Sequence, residues 1–305
     1  MPGRALKVGV ILPMFSGDPA RVLAAARSAE ALGFDGVFAF DHFFPPGAPP
    51  DRPALEAFST LASVAATTDR TRIGTLVTRA VLRPAGLLAK MAATLDAISG
   101  GRMILGIGTG DPIDLPEHHA FGFPVQSAAE RRAHLAETVE GIRALFRGDV
   151  YEGGSVIPPL EGPLLPPPIQ PGGPPVWIGA QADPVVRLAG SLADGWNGWG
   201  LAPEVFRAKV EVLAEAAAAA GRDVEPTWAG IVQVVTDEGE MARSNARRRD
   251  LGLEDGLAFS GSPEALAERL HALADAGATW AVLVLAGPPG RQELLAERVL
   301  PALER

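Results

Sequence analysis

Short apolar runs alternate with amphipathic segments along the chain. Eight of these runs are apolar at most consecutive positions and predict buried strands: 7–12, 36–40, 72–78, 103–107, 176–180, 195–199, 228–235 and 280–285. Near-continuous apolar runs, as opposed to alternating ones, are typical of strands that are covered on both faces. The pattern therefore favours a parallel sheet over an antiparallel one.

A segment with helical spacing follows each of these strands. Ser127 and Glu130 have the spacing of a capping box. The other helices are expected over 19–32, 54–67 and 84–98, at starts near residues 183, 203 and 262, and around 294–303. This alternation of strands and helices predicts an α/β fold, specifically a (β/α)8 TIM barrel. We expect residues 1–305 to form a single domain. A doubly wound open sheet is the alternative.

Two connections are too long for this alternation, about 111–126 and 148–175, and the second is rich in proline. Connections above roughly 12–15 residues are usually functional or disordered. We interpret both as insertions at the C-terminal mouth of the barrel. The second is expected to form a lid, with a disordered surface loop as its alternative.

Composition and charge exclude several classes of function. The net charge is −9 without an extended basic run, which argues against a nucleic-acid partner. The absence of cysteine excludes disulfides, thiolate nucleophiles and cysteine-ligated metal centres. No apolar run reaches the roughly 18 residues of a membrane span, and no signal-peptide pattern appears. We expect a soluble, cytoplasmic protein with a small-molecule substrate and no membrane partner.

Candidate chemistry lies where the predicted strands end, because parallel barrels carry their active sites at the carboxyl ends of the strands. Asp41 and His42 follow the second strand directly. A histidine beside a carboxylate can act as a general acid or base near neutral pH. A hydrogen-bonded loop pair without a catalytic role is the alternative.

The fourth strand runs into a glycine-rich stretch, 106–110, that ends at Asp111. A Rossmann loop would need a helix directly after these glycines, but prolines follow. We therefore favour a flexible backbone that lets a flat ring approach closely. Asp111 is a candidate acid, or alternatively the cap of a turn.

Two further stretches have possible ligand chemistry. Glu117, His118 and His119 are adjacent, and adjacent residues do not share one face of a regular element, so no metal site is expected. Residues 179–182 precede a helix start, where free backbone N–H groups suit a phosphate. The alternative is ordinary capping of that helix by Asp183.

Five stretches of the chain together carry a resemblance to a known family: FDGVFAFDHFF, RIGTLVTRAVLRPAGLLAKMAATLDAISGGRMILGIGTGD, EHHAFGFP, PPVWIGA and LADGWNGW. In this order they resemble the luciferase-like monooxygenase superfamily, and in particular its branch of oxidoreductases that use coenzyme F420, a deazaflavin. The resemblance covers essentially the whole chain. It implies a (β/α)8 barrel with a flavin-like ring at the C-terminal mouth.

The resemblance also implies roles for individual residues. His42 matches the active-site histidine and Asp111 matches a catalytic glutamate of the sugar-phosphate dehydrogenases. Leu76 and Val77 match a non-proline cis peptide that forms a bulge behind the ring. The remaining cofactor contacts are implied for Asp41, Thr109, Gly179, Ala180, Gln181 and Ala182.

The chain departs from the sugar-phosphate enzymes in ways that bear on its substrate. Asp111 is one methylene shorter than the glutamate, and phenylalanines follow His42 where a tryptophan is expected. Only three lysines are present, so a sugar phosphate is not the expected substrate.

The expected function is hydride transfer between F420 and a small organic substrate. The alternatives are an FMN-dependent monooxygenase, served by a partner reductase, and a non-catalytic flavin-binding protein. The resemblance leaves a homodimer open.

Overall fold

Eight parallel strands close into a barrel, which confirms the predicted fold and excludes the open sheet. The computed structural model describes residue 4 and residues 6–47, 50–250 and 256–304. Neighbouring strands pair in chain order, and the last barrel strand pairs with the first. The barrel consists of β1 (Lys7–Ile11), β2 (Gly36–Ala39), β3 (Arg72–Thr75), β5 (Met103–Gly108), β6 (Val176–Gly179), β7 (Gly195–Trp199), β8 (Glu225–Val234) and β10 (Trp280–Ala286).

Two short strands complete the sheet. β4 (Thr78–Arg79) continues β3 and pairs with β5. β9 (Leu257–Gly261) pairs with the end of β8, outside the closed ring. The helices are α1 (Pro19–Ala31), α2 (Ala57–Ala65), α3 (Ala85–Ser99), α4 (Leu115–Phe121), α5 (Ala128–Arg147), α6 (Asp183–Leu192), α7 (Pro203–Ala219), α8 (Glu238–Asp250), α9 (Pro263–Asp275) and α10 (Arg291–Arg298).

The barrel interior is filled by aromatic side chains. Phe38 of β2 stacks on Trp177 of β6 with ring centroids 5.6 Å apart, and Trp280 of β10 meets Phe38 edge-on at 5.9 Å. Gly36 makes room for these rings, since a Cβ atom there would lie 2.8 Å from the Phe38 ring. A second apolar layer lies between the strands and the helices, and the strands are therefore buried on both faces.

The helix signals read from the sequence act as expected at α5. The Ser127 hydroxyl accepts a hydrogen bond from the Glu130 amide at 3.3 Å, and the Glu130 carboxylate accepts one from the Ser127 amide at 2.7 Å. α8 was not predicted, because none of its side chains is buried and it has no apolar period. In the described residues, no helix is both long enough and apolar enough to cross a membrane.

The proline-rich connection 148–175 does not form the expected lid, and it is also not a disordered loop. Its last part is fixed by Gln170, whose side-chain amide donates to Asp96 at 2.6 Å and to the Met103 carbonyl at 2.8 Å. Arg72 donates to Gln170 at 3.0 Å. Arg72 and Met103 begin β3 and β5, so this part lies at the amino ends of the strands, opposite the carboxyl ends where a lid was expected.

The first part of the same connection is fixed by one carboxylate. Glu137 of α5 accepts hydrogen bonds from the amides of Ser155, Val156 and Ile157 and from the Ser155 hydroxyl, at 2.6–2.8 Å. Burial raises the pKa of Glu137, but these hydrogen bonds outweigh it and lower the pKa to about 2.

We expect Glu137→Gln to raise the hydrogen-exchange rate of the amides at 155–157 by about tenfold, since it weakens hydrogen bonds to a charged acceptor. A carboxyl with a lowered pKa stabilises the fold above its unfolded-state pKa, and this contribution is lost as the pH falls towards the folded-state value. The stability difference between wild type and variant should therefore shrink from pH 4.5 to about 2. Glu140→Gln, on the same helix, is the control, and equal exchange in both variants would contradict the anchoring role.

Candidate active site

Asp41 lies where β2 ends and is almost fully buried, with 3% of its surface exposed. Its carboxylate accepts a hydrogen bond from the Thr78 hydroxyl at 2.6 Å and pairs with both terminal nitrogens of Arg83. Arg83 also pairs with Glu56 at 2.7 Å, at the start of α2. The negative charge of Asp41 is thus compensated, and it ties β2 to β4 beside the barrel mouth.

His42 is the next residue and has a different set of partners. Its Nδ1 atom lies 3.0 Å from Oε1 of Glu117 on α4 and 3.8 Å from Oδ1 of Asp114. The His42 side chain remains one-fifth exposed, whereas Glu117 is 1% exposed. His42 is therefore held from the protein side and open towards solvent, the arrangement that a proton-transfer group needs.

Glu117 is held in its ionised form by its two partners. Burial alone raises the pKa of this carboxyl, but the hydrogen bond to His42 and the guanidinium of Arg79 hold the pKa below its usual value. Arg79 lies on β4, is 3% exposed, and pairs with the second carboxylate oxygen of Glu117. It also donates to the Asp41 carbonyl at 3.3 Å.

Asp111 is not part of this cluster of contacts. It is exposed, and its carboxylate accepts from the Ile113 amide at 3.3 Å as the cap of a 3-10 turn, Pro112–Asp114. Asp114 completes the cap by accepting from the Asp111 amide at 2.7 Å. The turn-capping alternative describes the side chain as the structure places it, and a catalytic role for Asp111 remains a prediction.

The bulge expected at the third strand is present. The Leu76–Val77 peptide is cis and separates β3 from β4. Val77 points at the backbone of the neighbouring strands, where a Cβ atom on Gly108 or Gly179 would lie 2.8 Å and 3.0 Å from its methyl groups. Thr109 follows β5, is half-buried, and donates to the Gly110 carbonyl at 3.1 Å.

Residues 179–182 join β6 to α6 at the same end of the barrel. α6 begins at Asp183 after Ala182, without a side-chain cap, and Asp183 instead pairs with Lys209 of α7. The capping alternative is therefore wrong. The Gln181 side chain donates to the Trp199 carbonyl at 2.7 Å and fixes this turn against β7.

Aromatic side chains pack against the His42 ring. The ring centroids of Phe15 and Phe40 lie 6.4 Å and 6.2 Å from that of His42, and the Trp199 ring lies 5.8 Å from Phe40. Phe43, the next residue along the chain, packs against Phe121 of α4 with ring centroids 4.6 Å apart. His42 thus contacts aromatic rings as well as the Glu117 carboxylate.

A family model described as luciferase-like monooxygenase matches residues 6–251. The chain belongs to this family. Within it, the chain is 30% identical over 241 residues to an F420-dependent glucose-6-phosphate dehydrogenase of Beutenbergia cavernae, covering 77% of this chain and 69% of that protein. It is 27% identical over 258 residues to a 5,10-methylenetetrahydromethanopterin reductase of Methanolobus tindarius, covering 83% and 72%.

Solved structures support the same fold. An F420-dependent secondary alcohol dehydrogenase, in complex with an F420-acetone adduct, superposes with a TM-score of 0.85 at 19% identity. The match covers 98% of this chain and 99% of that one. The two chains therefore share one barrel fold along nearly their full lengths.

The sequence alone does not identify three residues of the cluster around His42. Its pattern shows Glu117 only beside two histidines, and Arg79 and Asp114 have no local signal. The structure separates these neighbours, because His118 turns towards the Pro124 carbonyl at 2.7 Å while Glu117 meets His42. Throughout the described part of the chain, no group of three or more His, Asp or Glu side chains is arranged to hold a metal ion.

Proposed function

We propose that this protein catalyses hydride transfer between coenzyme F420 and a small organic substrate, with His42 as the proton donor or acceptor. The observation that carries the proposal is His42 at the end of β2, held through Nδ1 by a buried carboxylate and open on its other side. The F420-dependent relative at 30% identity supports the choice of cofactor.

The residues at the mouth fit a flat cofactor with an anionic arm. The Val77 bulge fills the space beside Gly108 and Gly179 and would support a ring from behind. Gly179, Ala180, Gln181 and Ala182 would hold a phosphate, because α6 starts there without a side-chain cap and its first amides favour an anion. When bound, the deazaflavin supplies the hydride acceptor or donor.

The chain's own residues would then bind, orient and move one proton. In alcohol oxidation the neutral imidazole of His42 would accept the hydroxyl proton, and in the reverse direction the imidazolium would return it. Asp41 would not exchange protons, because Thr78 and Arg83 occupy its carboxylate. Its role in the proposal is to fix the end of β2, next to His42.

The substrate we propose is uncharged and largely apolar. Phe15 and Phe40 pack against the His42 ring, and Trp199 packs against Phe40. Among the described residues, none of the three lysines is in contact with His42, and each has a partner of its own. Lys7 is at the amino end of β1 over Trp280, Lys90 bonds the Leu165 carbonyl, and Lys209 pairs with Asp183.

A paired titration of the cofactor-free protein with F420 and with FMN, followed by fluorescence, tests the choice of cofactor. We expect micromolar or tighter binding of F420 and binding of FMN weaker by about tenfold or more, which corresponds to about 1.4 kcal/mol. The reverse preference would assign the protein to the oxygen-activating, FMN-dependent members. Binding of F420 without turnover of any alcohol or ketone would favour a binding protein.

A further inference from the structure

We propose that Glu117 is a positioning residue that fixes the tautomer of His42, so that Nε2 is the atom that exchanges the proton with substrate. The proposal rests on the proposed role of His42 in hydride transfer. It adds a residue on α4, a helix inserted between β5 and α5, to a site otherwise built from the ends of the barrel strands.

The contact is direct, buried and specific to one ring nitrogen. Oε1 of Glu117 lies 3.0 Å from Nδ1 of His42, within hydrogen-bonding distance. Glu117 is 1% exposed although it lies on a short helix at the protein surface. A carboxylate withdrawn from water in this way needs compensating partners.

Arg79 is the second partner of Glu117, and it restricts the hydrogen bonds that the Glu117 carboxylate can make. The guanidinium pairs with Oε2, and a guanidinium has donors only. Both carboxylate oxygens therefore accept hydrogen bonds, one from Arg79 and one from His42. Because an ionised carboxylate cannot donate, Nδ1 of His42 must carry a proton in both the neutral ring and the imidazolium.

The consequence for catalysis concerns the other nitrogen. With Nδ1 protonated, the neutral ring presents an unprotonated Nε2 that can accept a proton, and the imidazolium presents Nε2–H that can donate one. Without Glu117, a neutral histidine can place its proton on either nitrogen. The carboxylate thus keeps the ring ready for both directions of transfer, as the buried aspartate does in a Ser-His-Asp triad.

Asp114 is the other carboxylate near Nδ1, and its geometry suits a different task. Its Oδ1 atom lies 3.8 Å from Nδ1 of His42 and 3.8 Å from Nη1 of Arg79, beyond hydrogen-bonding distance in both cases. Its other oxygen accepts from the Asp111 amide at 2.7 Å. Asp114 adds negative charge to the cluster and fixes the turn that leads into α4.

The Glu117→Gln variant provides a sharp test, because the amide can fit in one orientation only. Arg79 has no acceptor, so the amide oxygen must face Arg79 and the NH2 group must face Nδ1 of His42. Nδ1 of the neutral ring then has to accept a hydrogen bond, and the proton moves to Nε2. The substitution preserves the shape of the site and reverses the tautomer.

We would measure the tautomer directly by long-range nitrogen–proton NMR on cofactor-free protein labelled at histidine. The chain has five histidines, and His42→Gln assigns the signal. We expect Nδ1–H in the wild type and Nε2–H in Glu117→Gln, at a pH where the ring is neutral. His119→Gln, an exposed position on α4, is the control and should leave the His42 signal unchanged. The same tautomer in wild type and Glu117→Gln would overturn the proposal.

Kinetics provide the second readout. If His42 transfers the proton, Glu117→Gln should lower the turnover of a neutral alcohol by about 10²–10⁴-fold, as expected for a histidine held in the wrong tautomer. The affinity for F420 should be unchanged. A wild-type rate in a variant with the reversed tautomer would reject the proposed role of His42 and leave the tautomer assignment intact. A loss of F420 binding along with the rate would indicate a structural role for Glu117 and overturn the proposal.

Discussion

His42→Ala is expected to slow hydride transfer by about 10²–10⁴-fold, the range that a positioned general acid or base contributes. Neither nearby aspartate is placed to replace His42, since Asp41 is occupied by Arg83 and Asp111 caps a turn. The measurement is a single-turnover reaction that follows the deazaflavin absorbance, because it separates the chemical step from product release.

The control for this variant is His271→Gln, at a distant site where the ring contacts the Ala302 carbonyl. The affinity for F420 should be similar in wild type and in both variants. A single-turnover rate for His42→Ala close to that of the wild type would show that proton transfer belongs to another group. Asp111→Asn would then be the next variant to measure, since the resemblance implies an acid at that position.

Arg83→Met is expected to give the largest loss of stability, about 3–5 kcal/mol, because it leaves a buried carboxylate without its counter-charge. Asp41 is 3% exposed, and Arg83 contacts both of its oxygens and also Glu56. Among the described residues, the Thr78 hydroxyl would remain as the partner of the Asp41 carboxylate. The free energy of unfolding, measured by denaturant titration, tests this expectation.

Arg147→Met provides a matched comparison, since it removes an ion pair of the same kind from the surface. Arg147 lies 2.8 Å from Asp149, and both side chains are about half exposed. Its loss should cost about 1 kcal/mol or less. Equal losses in the two variants would mean that the charge of Asp41 is compensated by something other than Arg83.

The barrel could be predicted from the sequence because its signals are local. All eight barrel strands coincide with apolar runs, and the capping box at Ser127 marks the start of α5. β9 and α8 were not predicted because they lack such a local signal. Residues 257–261 are only partly buried or exposed, and α8 has no buried side chain, so neither has the apolar period on which the prediction depends.

The site could be predicted only in part, because its partners are distant along the chain. Asp41 and His42 directly follow a predicted strand and can be recognised as a pair. Glu117 is 75 residues from His42, on a short helix whose proline and histidines give no clear helical pattern. The lid predicted for the proline-rich connection 148–175 was wrong because that connection is also held by residues distant along the chain. Its position depends on Asp96 and Gln170, which are 74 residues apart and look like ordinary polar residues in the sequence.

His42 and Glu117, the pair proposed to handle the proton, lie in two parts of the chain that differ in how readily they accept sequence changes. His42 follows a barrel strand directly, whereas Glu117 lies on a helix within a connection, and connections accept insertions and replacements more readily than strands do. Phe121, which packs against Phe43, lies on that helix as well. If His42 and Glu117 act as proposed, exchange of this one segment would alter proton delivery while the barrel strands stay the same. The segment is therefore the natural unit to transplant when such a barrel is redesigned.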